Sequence, residues 1–216
     1  MHGMKTRTVF PTKRDLIHAY VDSNHRVLDV GFSGQGIQKN DPNWPHALLK
    51  ENTKEVYGID LEIDRAEYPD TEHYQEGSAE TFSFPGVIFD VIFAGDLIEH
   101  LPNPGQFLAA CKAHMNADSK LILTTPNAFN LFNIAEKFTK DEPTVNPDHT
   151  CYFNHRTLKV LLAKCGLETS EIEYVYSLEY THTESWKKKF LNVIYRLISQ
   201  ITPKFTETLV VVSKRV

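Results

Sequence analysis

An open, doubly wound α/β sheet is the fold class this sequence predicts. Three observations carry it. Five short apolar runs alternate with helix-period segments between residues 12 and 165, a glycine-rich turn follows the first run, and two more strand-like runs lie beyond residue 170. Strands and helices in alternation give a parallel sheet covered by helices on both faces.

The elements can be justified in order. Thr12 to Asp22 reads as a helix, with Leu16, Ile17 and Tyr20 on one face. His25 to Val30 is an apolar, β-branched run stopping at Gly31, as a buried strand stops at a tight turn. Pro45 to Glu51 is a helix leading into a second strand, Lys54 to Asp60. Tyr74 to Ser78 is a weak third strand and Phe89 to Ala94 a strong fourth. Pro104 to Met115 opens with a proline in its first turn and spaces Phe107, Leu108 and Cys111 as a helix does. Lys120 to Thr125 is the fifth strand, closed by Pro126, which cannot donate to a ladder. Asn154 to Cys165 begins with an N-cap residue and ends at Gly166. Glu171 to Leu178 and Glu207 to Val212 are two late strands, read as a hairpin-like edge interrupted by an amphipathic insertion, Glu184 to Ile201. That makes seven strands. No linker composition divides residues 1–216, so one domain is expected, with its core at about 25–170.

Composition narrows the function classes. Of 216 residues, 41% are hydrophobic and 24% charged, which excludes a disordered or collagen-like chain. A net charge of −5 argues against gripping a nucleic-acid backbone, so no DNA partner is expected. No apolar stretch is long enough to span a membrane, and Met1 to Phe10 lacks a signal-peptide core. Cys111, Cys151 and Cys165 show no CxxC spacing, so reduced thiols and a cytoplasmic location are expected, without a cysteine-built zinc site.

The segment Val27 to Gly36, VLDVGFSGQG, is the most informative. A glycine-rich turn between strand and helix lets a ligand approach the backbone at the carboxyl edge of the sheet. Its glycines, at 31, 34 and 36, are not spaced as in the dinucleotide fingerprint. Asp29 would repel a pyrophosphate but suits an ammonium or sulfonium, which disfavours a nicotinamide oxidoreductase. Asp60 ends the second strand, where a carboxylate can take both hydroxyls of a ribose, with Leu61 beside it. Gly77, Ser78 and Ala79 could meet an adenine edge.

These segments, with VYGID, GSAE, FDVIFAGDLIEHLPNP and KLILTTPN in this order, resemble class I S-adenosylmethionine-dependent methyltransferases, nearest the small-molecule and glycan-modifying subgroup. The late ETLVVVSKR resembles that family's final strand, so the seventh is expected to be antiparallel. The resemblance implies S-adenosylmethionine as donor and S-adenosylhomocysteine as product. Asp29, Gly31, Phe32 and Gly34 would hold the methionine end, Asp60 and Leu61 the ribose, Ser78 and Ala79 the adenine, and Gly95 would line the transfer site. Ser33 stands where the family has glycine, and Ser78 where it has an acid. The implied activity is O-methylation of a sugar, glycan or other small molecule, as in polysaccharide biosynthesis. A cofactor-binding, non-catalytic accessory protein is the rival class.

Chemistry is expected after the fourth strand. On a helical turn Asp96, Glu99 and His100 would share a face, and His149 follows later in Asn146-Pro147-Asp148-His149. His149 and His100 are the candidate general bases. Glu99 and His100 could equally brace the loop. No residue is assigned as a metal ligand, although Asp96, Glu99, His100 and His149 resemble the pattern of metal-assisted quinone-pathway and small-RNA methyltransferases. Trp186 to Ile201 is basic and amphipathic, suited to packing on the core or lying on a membrane surface.

Overall fold

A computed structural model describes residues 9–33, 41, 43–176, 193, 195, 197–199 and 201–216. The strands are β1 (Val9–Phe10), β2 (Arg26–Val30), β3 (Glu55–Asp60), β4 (Tyr74–Glu76), β5 (Val91–Gly95), β6 (Lys120–Pro126), β7 (Leu167–Val175) and β8 (Thr208–Arg215). The helices are α1 (Lys13–Tyr20), α2 (Pro45–Asn52), α3 (Pro104–Ala113), α4 (Leu131–Glu136) and α5 (His155–Lys164). Their starts follow local chemistry. Thr12 caps α1 by accepting from the Asp15 amide, and Pro45 and Pro104 open α2 and α3. Asn154 and Thr157 close a reciprocal capping box on α5.

The sheet runs β1-β7-β8-β6-β5-β2-β3-β4. From β6 through β4 the strands are parallel, and β8 lies antiparallel to both β6 and β7. The expected antiparallel late strand is therefore present. Among the described residues the strand number is corrected from seven to eight, because Val9–Phe10 pairs in parallel with Tyr174–Val175. Two residues carry no readable alternation, and their strand character comes from the partner. The late strands pair with each other as expected but form no simple edge. Glu173 and Val210 pair on one side of β8 while Thr124 and Val210 pair on the other.

Alternation along each strand divides the core between two faces. Leu16, Ile17, Leu48 and Leu49 of α1 and α2 pack on Val27, Val91 and Ile122. Phe107, Leu108, Leu158 and Leu162 of α3 and α5 pack on Leu28, Ile92, Leu121 and Leu123. Covering both faces explains why these strands read as continuous apolar runs. A third cluster, Phe32, Trp44, Ile63, Tyr68 and Tyr74, closes the end of β2 and β3. The chain moves from β2 to β3 and β4 on one side, and from β5 to β6 on the other. A switch point therefore lies between β2 and β5, where carboxyl-end loops diverge and leave a crevice.

Most of Glu184 to Ile201, including Lys187, Lys188 and Lys189, lies outside the described residues, so the membrane-surface expectation does too. Tyr195 is buried and packs its ring 4.8 Å from that of Phe132. Among the described residues no helix is long and apolar enough to cross a membrane.

Candidate functional site

The crevice begins where β2 ends. Gly31 sits at φ +79°, and a Cβ there would lie 3.1 Å from Leu97 of the loop after β5. Glycine is needed both for the backbone angle and for the closeness of the two loops. The Gly31 amide donates to the Ile59 carbonyl at 2.8 Å, and the Ser33 amide donates to Asp60 Oδ2 at 2.8 Å. The acid at the end of β3 thus holds the glycine turn. The Asp60 carbonyl accepts from the Gly77 amide at 2.8 Å, which sets the Gly77–Ala79 turn beside it. Leu61 is 70% exposed above this row. The Ser78 hydroxyl accepts from the Glu80 amide at 3.1 Å, while Ala79 packs on the core. Gly34 lies outside the described residues.

Two of the expected ligand-facing side chains turn inward. The Phe32 ring is buried against Tyr68, with centroids 5.0 Å apart, and its carbonyl accepts from Trp44 Nε1. Asp29 is 2% exposed, and its Oδ2 lies 3.0 Å from Nδ1 of the fully buried His46. His46 Nε2 in turn lies 3.3 Å from the Tyr74 hydroxyl. Burial pushes the Asp29 carboxyl upward and His46 opposes that shift. Asp29 therefore underpins the turn from below instead of presenting a bare carboxylate to the crevice. His46 has no motif around it, and only the fold brings α2 under Asp29.

Across the crevice, Gly95 ends β5 and Asp96 adopts φ +48°. The Asp96 amide donates to the Thr124 carbonyl, and the Asp96 carboxylate accepts from Lys13 Nζ at 2.6 Å and Thr124 Oγ1 at 2.9 Å. The expected shared helical face is corrected here. Only Ile98–His100 forms a helical turn, of the tighter 3-10 kind, so Asp96 shares no helical face with Glu99 and His100 and pairs with Lys13. Glu99 is 1% exposed; its Oε2 accepts from Thr125 Oγ1 at 2.9 Å, and among the described residues Oε1 has no hydrogen-bond partner. Burial, then the charge of Asp96, pushes its pKa up to about 8. His100 Nδ1 is also buried without a partner among the described residues.

The later histidine lies beside His100. The His149 ring stands edge-on to His100 with centroids 4.6 Å apart. Its segment is anchored through the Glu99 carbonyl, which accepts from the Thr150 amide at 2.8 Å and the Thr150 hydroxyl at 2.9 Å. Burial, then His100, lowers the His149 pKa. Glu99, His100 and His149 each offer a ligand atom within 4.8 Å of the others, a set able to hold a divalent cation. Lys13, Thr124 and Thr125 were missed in the sequence. The threonines read only as strand, and nothing local connects Lys13 to Asp96.

A family model described as a methyltransferase domain matches residues 6–172. The chain belongs to the S-adenosylmethionine-dependent methyltransferases. This methyltransferase is 27% identical over 129 residues to a "probable S-adenosylmethionine-dependent methyltransferase" of Mycolicibacterium smegmatis, covering 57% of the chain and 48% of that relative. The match spans about half the relative's length. A ubiquinone biosynthesis O-methyltransferase of Paraburkholderia phymatum is 27% identical over 164 residues, 72% of the chain and 69% of that protein. Among solved structures, a methyltransferase from Archaeoglobus fulgidus superposes with a TM-score of 0.60 at 22% identity, over 94% of each chain. A magnesium protoporphyrin IX methyltransferase from Synechocystis, solved with S-adenosylhomocysteine bound, gives 0.55 at 12% identity, over 93% of this methyltransferase and 78% of that chain. At such identities the likeness speaks for the shared fold.

Proposed function

We propose that the chain transfers the methyl group of S-adenosylmethionine to an oxygen of a small-molecule acceptor, sugar and glycan hydroxyls among the classes to test. One observation carries the reading: the Glu99, His100 and His149 cluster stands on the same carboxyl edge as Gly31 and Asp60. Donor-binding features and proton-accepting groups therefore flank one crevice, which argues against a non-catalytic accessory. The crevice fits the donor. Gly31 offers backbone without a side chain, Asp60 suits a ribose diol, and the Gly77–Ala79 turn lies beside it for an adenine edge. Gly95 would line the transfer site, and Asp29 would act through the turn it supports.

Bound donor supplies an electrophilic methyl on sulfur, and the leaving S-adenosylhomocysteine is neutral. The chain's part is to align the acceptor oxygen and take its proton. We assign the proton to a ring nitrogen of His149, which burial and His100 keep neutral to lower pH than usual. His100 would position that ring. The test is S-adenosylhomocysteine production with a panel of hydroxylated acceptors across pH. Rate should rise as His149 deprotonates, and His149→Ala should abolish the effect. No product with any oxygen acceptor, from protein that binds donor, would overturn the reading.

A second reading is favoured by a specific observation: in this cluster Glu99 Oε1 and His100 Nδ1 are buried with no hydrogen-bond partner among the described residues. A cation there would satisfy both and would lower the pKa of an acceptor hydroxyl. Glu99, His100 and His149 are the residues that would hold it. Loss of activity in chelator, restored by magnesium or manganese and mimicked by Glu99→Gln, would support this reading over histidine as the base.

A further inference from the structure

A cavity of about 470 Å³ opens beside α4, outside the donor crevice. Its apolar lining comes from Phe129, Ile134, Phe138, Pro143 and Tyr152. Asn133, Ile134, Lys137 and Phe138 recur at helical spacing, so α4 and the turn after it offer this cavity one continuous face. A neighbouring residue of the helix is engaged elsewhere, since the Phe132 ring packs on buried Tyr195. Phe129, Phe138 and Tyr152 are 57%, 87% and 52% exposed. Large aromatic rings grouped in this way around a cavity of small-molecule size mark a binding site more than a packing defect.

A short piece of chain links the cavity to the Glu99, His100 and His149 cluster. Tyr152 lines the cavity three residues after His149. Between them, Thr150 is bonded to the Glu99 carbonyl, and Phe153 bridges to Asn127 at the end of β6. Ala128, which donates to the Phe153 carbonyl, forms part of the wall. This segment thus carries His149 to its place beside His100, and three residues later Tyr152 walls the cavity. Lys137 and Glu142 approach to 3.4 Å at the cavity, and the remaining lining is mostly apolar.

We propose that this cavity binds an apolar body of the methyl acceptor, aromatic or aliphatic, while the acceptor's hydroxyl reaches His149. The inference rests on the methyl-transfer reading and narrows it. A bare sugar can lay a C–H face on one ring, but it has too little apolar surface for walls that are aromatic on several sides and would leave hydroxyls without acceptors. A glycan qualifies as substrate when an alkyl or aryl group is attached beside the sugar.

A series of 4-alkylphenols, methyl to butyl, tests the proposal by ligand-observed NMR titration on the full chain with S-adenosylhomocysteine present. Affinity should rise roughly threefold to fourfold per added methylene, the value for apolar burial. Phe129→Asp changes a half-exposed ring, and calorimetry should show donor affinity unchanged in this variant. The dependence on chain length should flatten in it. A flat series in the unaltered protein overturns the proposal, as does a slope that Phe129→Asp leaves intact. A dimer in sedimentation that Phe129→Asp dissociates would assign the surface to a second copy and overturn it too. Turnover separates this proposal from the one it rests on. Product from free sugars but not from alkyl or aryl glycosides rejects the cavity while preserving methyl transfer. A steep, Phe129-dependent series without product from any acceptor keeps the binding site and rejects the transfer.

Discussion

Lys13 Nζ and Asp96 Oδ2 meet at 2.6 Å although 83 residues separate them in the chain. The first residue of α1 therefore holds the turn that leaves β5, at a position whose φ of +48° is uncommon outside glycine and asparagine or aspartate. Lys13→Met should remove the counter-charge and loosen the approach to Glu99 and His100. Asp96 is about one-third exposed, so solvent screening limits the loss to about 1–2 kcal/mol, read from urea unfolding. Unchanged stability and unchanged turnover would show that the turn holds itself.

The Asp29–His46 pair predicts a larger effect. His46→Leu leaves a fully enclosed carboxylate without its partner, and a cost of about 3 kcal/mol is expected. Donor affinity should fall in the folded variant as well, because the turn from Val30 to Ser33 rests on this pair. Calorimetry and denaturant midpoints together separate the two losses.

Asp60→Ala should weaken S-adenosylmethionine binding by about 1–3 kcal/mol, through both the ribose and the Ser33 amide it now orders. Equal affinity in a folded variant would remove Asp60 from the donor site.

Gly58 offers a prediction that the sequence conceals. A Cβ there would lie 2.6 Å from the Phe32 ring and 2.9 Å from that of Tyr74. Gly58→Ala should destabilise the protein by about 1–3 kcal/mol and displace the Phe32 carbonyl from Trp44. The indole's fluorescence reports that displacement.

Acid should loosen one edge of the α4 cavity. Glu136 accepts from Lys140 Nζ at 2.8 Å and from the Thr144 amide at 2.6 Å, and these bonds, Lys140 first, hold its pKa at about 2. A carboxyl lowered by the native state contributes order above its ordinary pKa of 4.5, and that contribution is lost as pH falls through about 2. The hydrogen-exchange protection factors of residues 137–144, corrected for the intrinsic pH dependence of exchange, should fall across that window. Glu136→Gln should show the lower protection already at neutral pH.

Strand positions and helix starts were legible because each has a local cause. Gly31 and Gly166 stand at positive φ, Pro45 and Pro104 open helices, and Asn154 caps one. Glu99, His100 and His149 stood out chemically together with Asp96, but that the three group without Asp96 depends on the tertiary fold. What was hidden depends on tertiary neighbours. Val9–Phe10 is a strand only beside β7, and His46 matters only beneath Asp29. Leu131–Glu136 was unassigned because six residues make fewer than two turns, too few to show a helical period, and the cavity it lines depends on Pro143 and Tyr152 arriving later. The inward rotation of Phe32 is of the same kind: a side chain at a turn has no periodicity from which to read its direction.

The antiparallel placement of β8 also has a consequence for how the protein is made. Leu209 to Val212 enters between β6 and β7, so β7 and, through it, Val9–Phe10 join the sheet only when residues 208–215 are available. At a synthesis rate of roughly 5–20 residues per second, β6 leaves the ribosome several seconds before its neighbour exists. During that interval the flank of Leu121 to Leu123 is an open ladder edge, vulnerable to pairing with another nascent chain. Yield in the cell should therefore depend on translation pace and chaperone supply across the stretch between β6 and β8, even for substitutions that leave the finished enzyme untouched.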